Sequence, residues 1–187
     1  MATATALMTL EDLLAMPNDG VKRWLVRGEL RERKMTKRNR FHSLAMANLA
    51  HFLTDWCKKQ PEPRGQVFAG EVGCNLRGDP DSANGIDVVY LDGNQVAKLP
   101  KKSTLIEGPP TLAVEILSPN NTIEDVEEKT RLYRETGVKL VWIVNPYSNT
   151  VTAYRPKGPP EFFHAESELI AADVLPGFRV AVAELFV

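Results

Sequence analysis

GIDVVYL at residues 85–91 and TLAVEILSP at residues 111–119 are two apolar segments, each with one carboxylate near its middle: Asp87 in the first and Glu115 in the second. Runs this apolar are typical of strands buried on both faces of a sheet. A carboxylate inside such a strand loses several kcal/mol of hydration unless a partner or a metal neutralises it. Two such strands therefore suggest that both acids meet one cation, and Mg²⁺ takes carboxylate and water ligands.

A helix is predicted directly after the second strand, over residues 123–136. Acids fill its first turn and Gly137 follows as a C-terminal cap. Lys129 lies on this helix. If its ammonium lies near the paired acids, it would complete a site for phosphodiester hydrolysis. The structural alternative is that Lys129 pairs with Asp125 one turn away, while each strand acid pairs with an arginine or caps a backbone group.

The pattern of elements predicts an α/β domain with a mixed central sheet. Helices are expected over 10–16, 40–59 and 123–136, and strands over 66–76, 86–91, 111–117 and 138–144. A hairpin turns near Gly28, a lysine-containing connection covers 96–106, and short strands follow residue 150. The strand, helix and strand over 111–144 predict a right-handed parallel crossover, whereas the remaining strands look antiparallel or mixed.

Length and composition indicate one soluble domain. The 187 residues are 43% apolar and 25% charged, with a net charge of −1, which argues against a general nucleic-acid coat protein. We expect an N-terminal helix and hairpin, 9–34, packed on a core formed by 40–187. No membrane span is expected, because no run of about 18 apolar residues occurs. The N-terminus lacks the basic region of a signal peptide, and the two cysteines have no metal-ligand spacing, which favours the cytoplasm.

Basic residues are concentrated between residues 31 and 40, against one acid, Glu32. Two interpretations remain open: a solvated basic loop, or an arm that faces phosphates. The residues concerned are Arg31, Arg33, Lys34, Lys37, Arg38 and Arg40.

Several motifs together resemble the PD-(D/E)XK restriction-endonuclease-like superfamily and, more closely, the Uma-type family of putative restriction endonucleases, formerly a domain of unknown function. Gly28-Glu29-Leu30 precedes a helix that carries His42, and GID at 85–87 is followed by GPPTLAVEILSP at 108–119. EKTRLY at 128–133, GV at 137–138 and WIVNP at 142–146 continue the match. The order of these motifs is specific, and it covers most of the chain.

The resemblance implies a restriction-endonuclease-like fold and cleavage of DNA with Mg²⁺, for which Mn²⁺ could substitute. Asp87 would be the strand aspartate, Glu115 the second metal carboxylate and Lys129 the catalytic lysine, moved from the strand onto the following helix. Two positions depart from the superfamily pattern. Pro-Asp is Ile86-Asp87 here, and Leu117 stands where the strand lysine of Glu-x-Lys would be.

Further ligands and partners follow from the same resemblance. The Ile116 backbone carbonyl and Glu71 are candidate additional metal ligands, and His42 or Glu29 are candidate accessory residues. A homodimer is expected, because the fold often pairs subunits to meet two DNA strands. The alternatives are a catalytically inactive nucleic-acid-binding or interaction protein on the same fold, and a structural dimer module.

Overall fold

The computed structural model describes residues 7–34, 39–76 and 80–187. Its helices in these ranges are α1 Leu10–Leu14, α2 Arg40–Lys58, α3 Gly93–Ala97 and α4 Ile123–Thr136, with a short 3-10 helix at Val182–Leu185. The strands are β1 Val21–Val26, β2 Glu29–Lys34, β3 Gln66–Asn75, β4 Ala83–Leu91, β5 Ile106–Glu107, β6 Leu112–Ile116, β7 Leu140–Asn145, β8 Thr150–Tyr154, β9 Glu161–Phe163, β10 Glu168–Ile170 and β11 Arg179–Ala181.

Nine strands of the described chain form one mixed sheet. Seven of them follow the order β2-β1-β4-β6-β7-β8-β9, while β3 pairs with β4 and β5 pairs with β3. β6 and β7 are parallel, and β4 and β6 are antiparallel. The predicted mixed sheet, and the parallel pairing of the strands on either side of α4, are therefore confirmed.

The two long helices cover the sheet with separate hydrophobic clusters. Leu49 of α2 packs in one cluster with Val114 of β6, and Leu132 of α4 packs in the other with Ala113. Successive strand residues point to opposite faces, so this alternation places Glu115 on the same face of β6 as Ala113. The buried strand acid is thereby directed toward α4.

Local signals determine where α4 begins and ends. The Thr122 hydroxyl accepts from the Asp125 amide, and the Asp125 carboxylate accepts in return from the Thr122 amide, a capping box. At the other end Gly137 adopts φ +99°, a left-handed conformation that favours glycine. The helix therefore spans the residues predicted for it, with Lys129 in its middle.

The connection between β4 and β6 is more structured than predicted. It contains α3, which starts with a capping box formed by Asp92 and Gln95, and the two-residue strand β5. Elements of five and two residues are too short to show a hydrophobic period, so sequence patterns miss them. None of the helices in the described ranges is long and apolar enough to cross a membrane.

The β1–β2 hairpin is tied to α4 by ion pairs. Arg27 contacts Glu135 at 2.5 Å, Arg31 contacts Glu128 at 2.9 Å, and Arg33 contacts Asp125. These contacts join the N-terminal hairpin to α4, the helix that follows the strand of Glu115. The organisation of residues 1–187 as one domain stays a prediction, and residues 1–6 lie outside the described ranges.

Arg155, just after β8, connects the main sheet to the segment between β10 and β11. Its Nε and Nη2 donate to the two Asp173 carboxylate oxygens at 2.8 and 3.0 Å, and Nη1 donates to Glu161 at 3.0 Å. The Arg155 guanidinium holds the pKa of Asp173 below its ordinary value. The ionised form is therefore favoured in the folded protein.

We expect Asp173→Asn to destabilise the fold by about 0.2–1 kcal/mol near neutral pH, the range for an exposed pair. Because the pKa of Asp173 is lower in the folded state, its contribution is present above the unfolded pKa of about 3.9 and is lost as pH falls through the folded pKa. Urea denaturation of both proteins from about pH 6 to about pH 3 should show the gap narrowing. The control is Glu166→Gln, which changes an exposed carboxylate in the turn between β9 and β10. A pH-independent gap for Asp173→Asn, or the same narrowing in the control, would contradict this role.

Candidate active site

The two strand acids lie opposite each other on neighbouring strands. Val88 of β4 pairs with Val114 of β6, so Asp87 and Glu115 stand one step further along this antiparallel register. Both are buried, with 5% and 7% of their surface exposed. They line one cleft of about 690 Å³, together with Ile116 and Lys129. The structure thus brings together the two acids and the lysine that the sequence singled out.

Glu115 has a partner on each carboxylate oxygen. Lys129 Nζ lies 2.6 Å from Oε2, and the Tyr133 hydroxyl donates to Oε1. Both partners come from α4, where a spacing of four residues puts them on one face. Asp125, the alternative partner for Lys129, instead pairs with Arg33. The buried strand acid is therefore neutralised from the helix that follows it.

Asp87 is held by the backbone of the neighbouring strand and by His42. Its Oδ2 accepts from the Ile116 amide at 2.9 Å and lies 3.2 Å from His42 Nε2. Burial acts to raise the pKa of Asp87, but His42, the Ile116 N–H and Lys129 together hold that pKa below its ordinary value. Asp87 is consequently an ionised oxygen donor at neutral pH, and His42 lies close enough to orient it.

Tyr133 and Asn84 form an inner support that sequence reasoning did not assign. The Tyr133 hydroxyl is fully buried and accepts from Asn84 Nδ2 at 2.5 Å while donating to Glu115. Burial, together with the nearby Glu115 carboxylate, raises the pKa of Tyr133 well above its ordinary value. Tyr133 therefore stays protonated as a donor. The only sequence signal was the spacing Lys-x-x-x-Tyr, which places both residues on one helix face.

Two of the other acids predicted for the site lie differently. Glu71 has φ +61° at a β3 irregularity; it lines the cleft but forms an ion pair with Lys22 at 3.0 Å. Nowhere in the described ranges are three His, Cys, Asp or Glu side chains arranged to hold a metal ion. Glu71 therefore does not join Asp87 and Glu115 in such a group. Glu29 pairs with Arg31 at 2.9 Å and is absent from the cleft lining.

The basic segment is divided by the structure. Arg33 lines the cleft while paired with Asp125. Arg31 is not part of the lining, but it pairs with Glu29 and with Glu128, which does line the cleft. The Arg40 guanidinium lies over the Phe41 ring, 4.6 Å from its centroid. The described ranges do not include Lys37 and Arg38 or the side chain of Lys34. Arg33 is thus placed in the cleft lining, and phosphate binding by the basic segment stays a prediction.

The oxygen donors in the cleft suit a hard divalent cation. Asp87 and Glu115 supply carboxylates from adjacent strands, and Ile116, whose amide donates to Asp87, also lines the cleft. Mg²⁺ is commonly bound through one or two carboxylates and retained water, so this donor set fits it without a third acid. Lys129 contacts one of the two Glu115 oxygens, so an ion bound by Glu115 would share that carboxylate with the ammonium.

Removing the inner support should weaken the fold. Tyr133→Phe keeps the ring but leaves Glu115 Oε1 and Asn84 Nδ2 without their hydrogen bonds in a buried position, which should cost about 1–3 kcal/mol. Chemical denaturation of wild type, Tyr133→Phe and the control Tyr154→Phe would measure this. Equal stability of the two variants would show that the buried hydroxyl does not support Glu115.

Comparisons with known proteins agree with this architecture. The model of the Uma2 family, described as "Putative restriction endonuclease", matches residues 10–183. One solved structure, a putative nuclease belonging to DUF820 from Anabaena variabilis, superposes with a TM-score of 0.78 at 19% identity. The alignment covers 96% of this chain and 97% of that one. No curated protein matches significantly. At this identity the superposition shows that the two proteins share a fold, a mixed sheet flanked by helices.

Proposed function

The chain belongs to the Uma2 family, and on that premise we propose that it is a divalent-metal-dependent endonuclease that hydrolyses phosphodiester bonds of DNA. The observation that carries the proposal is the shared cleft. Asp87 and Glu115 stand opposite each other on adjacent strands, and the Lys129 ammonium lies against Glu115. The family description and the fold neighbour support a nuclease-like function.

Asp87, Glu115 and the Ile116 carbonyl would hold Mg²⁺, with Mn²⁺ as a substitute. A bound divalent cation lowers the pKa of a water ligand and offsets negative charge on the phosphate. The protein prepares the acids for this task. The Ile116 amide and His42 fix the Asp87 carboxylate, and Tyr133 fixes Glu115 from within the core.

Lys129 and Arg33 supply positive charge from this chain. Both line the cleft, so a DNA phosphate entering it meets an ammonium beside the acids and a guanidinium from the hairpin. An ammonium placed there can orient the attacking water or stabilise charge that develops on the phosphate. Arg33 and Arg40 can bind neighbouring phosphates, which position a strand without reading its bases.

A second candidate is a catalytically inactive nucleic-acid-binding protein on the same fold. The observation that favours it is the occupation of both Glu115 oxygens, one by Lys129 and one by Tyr133. The ion pair balances the buried carboxylate without a metal. In addition, Leu117 replaces the strand lysine of the superfamily pattern.

Nicking of supercoiled plasmid in Mg²⁺ or Mn²⁺ separates the two candidates. We expect Asp87→Asn, Glu115→Gln and Lys129→Met each to lower the rate by about 100-fold or more. The first two remove a carboxylate that would hold the metal, and the third removes the ammonium that would face the reacting phosphate. Asp55→Asn and Lys59→Met change an exposed ion pair on α2 and serve as matched controls with unchanged rates. Calorimetric titration with Mn²⁺ should show weaker binding for the two acid variants.

The hydrolytic proposal fails if the nicking rate is insensitive to all three substitutions. It also fails if purified protein binds DNA in a salt-dependent manner yet cleaves none in any divalent metal, which is the outcome expected of the second candidate. A homodimer and a cytoplasmic location are proposed as well, and sedimentation measurements would test the dimer.

A further inference from the structure

Two exposed aromatic rings lie side by side near the cleft. Phe41, in the first turn of α2, is 42% exposed, and Tyr147, in the turn after β7, is 48% exposed. Their centroids are 6.1 Å apart in an edge-to-face arrangement. β7 runs parallel to β6. The turn that carries Tyr147 therefore follows β7 at the same end of the strands at which β6, the strand of Glu115, ends.

Direct contacts connect these rings to the acids. Asn39 lines the cleft, caps α2 and donates through Nδ2 to the Tyr147 hydroxyl at 2.6 Å. Phe41 is followed immediately by His42, which contacts Asp87. Consecutive Cα atoms are about 3.8 Å apart, so the exposed ring begins one residue from the Asp87 partner. The rings therefore lie beside the cleft, connected to it through Asn39, although neither ring is part of its lining.

A cation accompanies the rings. Exposed Arg40 places its guanidinium 4.6 Å from the Phe41 centroid. Single-stranded nucleic acids are bound where aromatic side chains accept stacked bases beside positive charge that follows the backbone, and arginine adds a cation–π contribution. In a duplex, both faces of a base are covered by the adjacent base pairs. Stacking on a protein ring therefore selects an unpaired base.

We propose that Arg40, Phe41 and Tyr147 form a stacking platform for an unpaired base of the DNA strand that enters the cleft. The inference rests on the proposed function, and it names the substrate class as DNA that is single-stranded or locally opened beside the cleaved phosphate. The charge of Arg40 matches a nucleic-acid backbone, and this favours DNA over a second copy of the chain as the occupant of the platform.

The test is fluorescence anisotropy with a labelled oligothymidylate of about 15 nucleotides in EDTA. We expect Phe41→Ala and Tyr147→Ala each to weaken binding by about 5- to 100-fold, the range for loss of one stacking ring. Phe162→Ala removes an equally exposed ring on β9, away from the cleft lining, and should bind like wild type. Phe41→Trp should retain its affinity for the oligonucleotide. Its tryptophan fluorescence should decrease on binding by more than the fluorescence of the wild-type protein does.

Each outcome has a defined meaning. Binding by Phe41→Ala and Tyr147→Ala equal to that of Phe162→Ala overturns the platform, as does unquenched fluorescence in Phe41→Trp. A change in the light-scattering mass of Phe41→Ala with unchanged oligonucleotide affinity assigns the surface to a second copy and also overturns it. EDTA removes divalent metal, so the binding assay does not depend on hydrolysis. If Phe41→Ala and Tyr147→Ala lose oligonucleotide affinity while the wild-type protein nicks no plasmid, the stacking platform is retained and the nuclease proposal is rejected.

Discussion

The neutralisation of Glu115 is the constraint on which the site depends. A carboxylate in a strand buried on both faces is stable only if it is paired and hydrogen-bonded. α4 provides both contacts, Lys129 on one oxygen and Tyr133 on the other, and Gly137 ends the helix so that β7 can return parallel to β6. The strand, the helix and the returning strand are therefore one unit with a single polar centre.

That centre extends through hydrogen bonds in two directions. Toward the core, the Tyr133 hydroxyl accepts a hydrogen bond from Asn84 on β4, the strand that also carries Asp87. Outward, the Ile116 amide binds Asp87, which reaches His42 on α2. Polar contacts thus link α4 to both strands and α2 to β4, in addition to hydrophobic packing. Displacement of α4 would disturb Glu115, and displacement of α2 would disturb Asp87.

The sequence was sufficient to predict the long helices and the buried strands, but not the short elements α3 and β5 or most of the contacts among elements. The limits of α4 and the strands that carry the acids follow from apolar runs and caps, and the motif order identified the family. The opposition of Asp87 and Glu115 depends on the β4–β6 register, which is set by the assembled sheet. The partners of Arg31 and Arg33 lie more than ninety residues away, so the basic run gave no sign that it faces acids of α4. Tyr133 was part of a matched motif but received no role, because its contact with Glu115 depends on how α4 packs on the sheet.

The position of β2 at the end of the sheet has a consequence for self-association. An outermost strand presents unpaired backbone groups to which another chain can add, and charged residues on it are a common defence. β2 reads ELRERK, and the β9 strand at the other end of the principal strand order has only three residues. Such borders disfavour continuation of the sheet from one molecule into the next and protect the protein against amyloid-like growth.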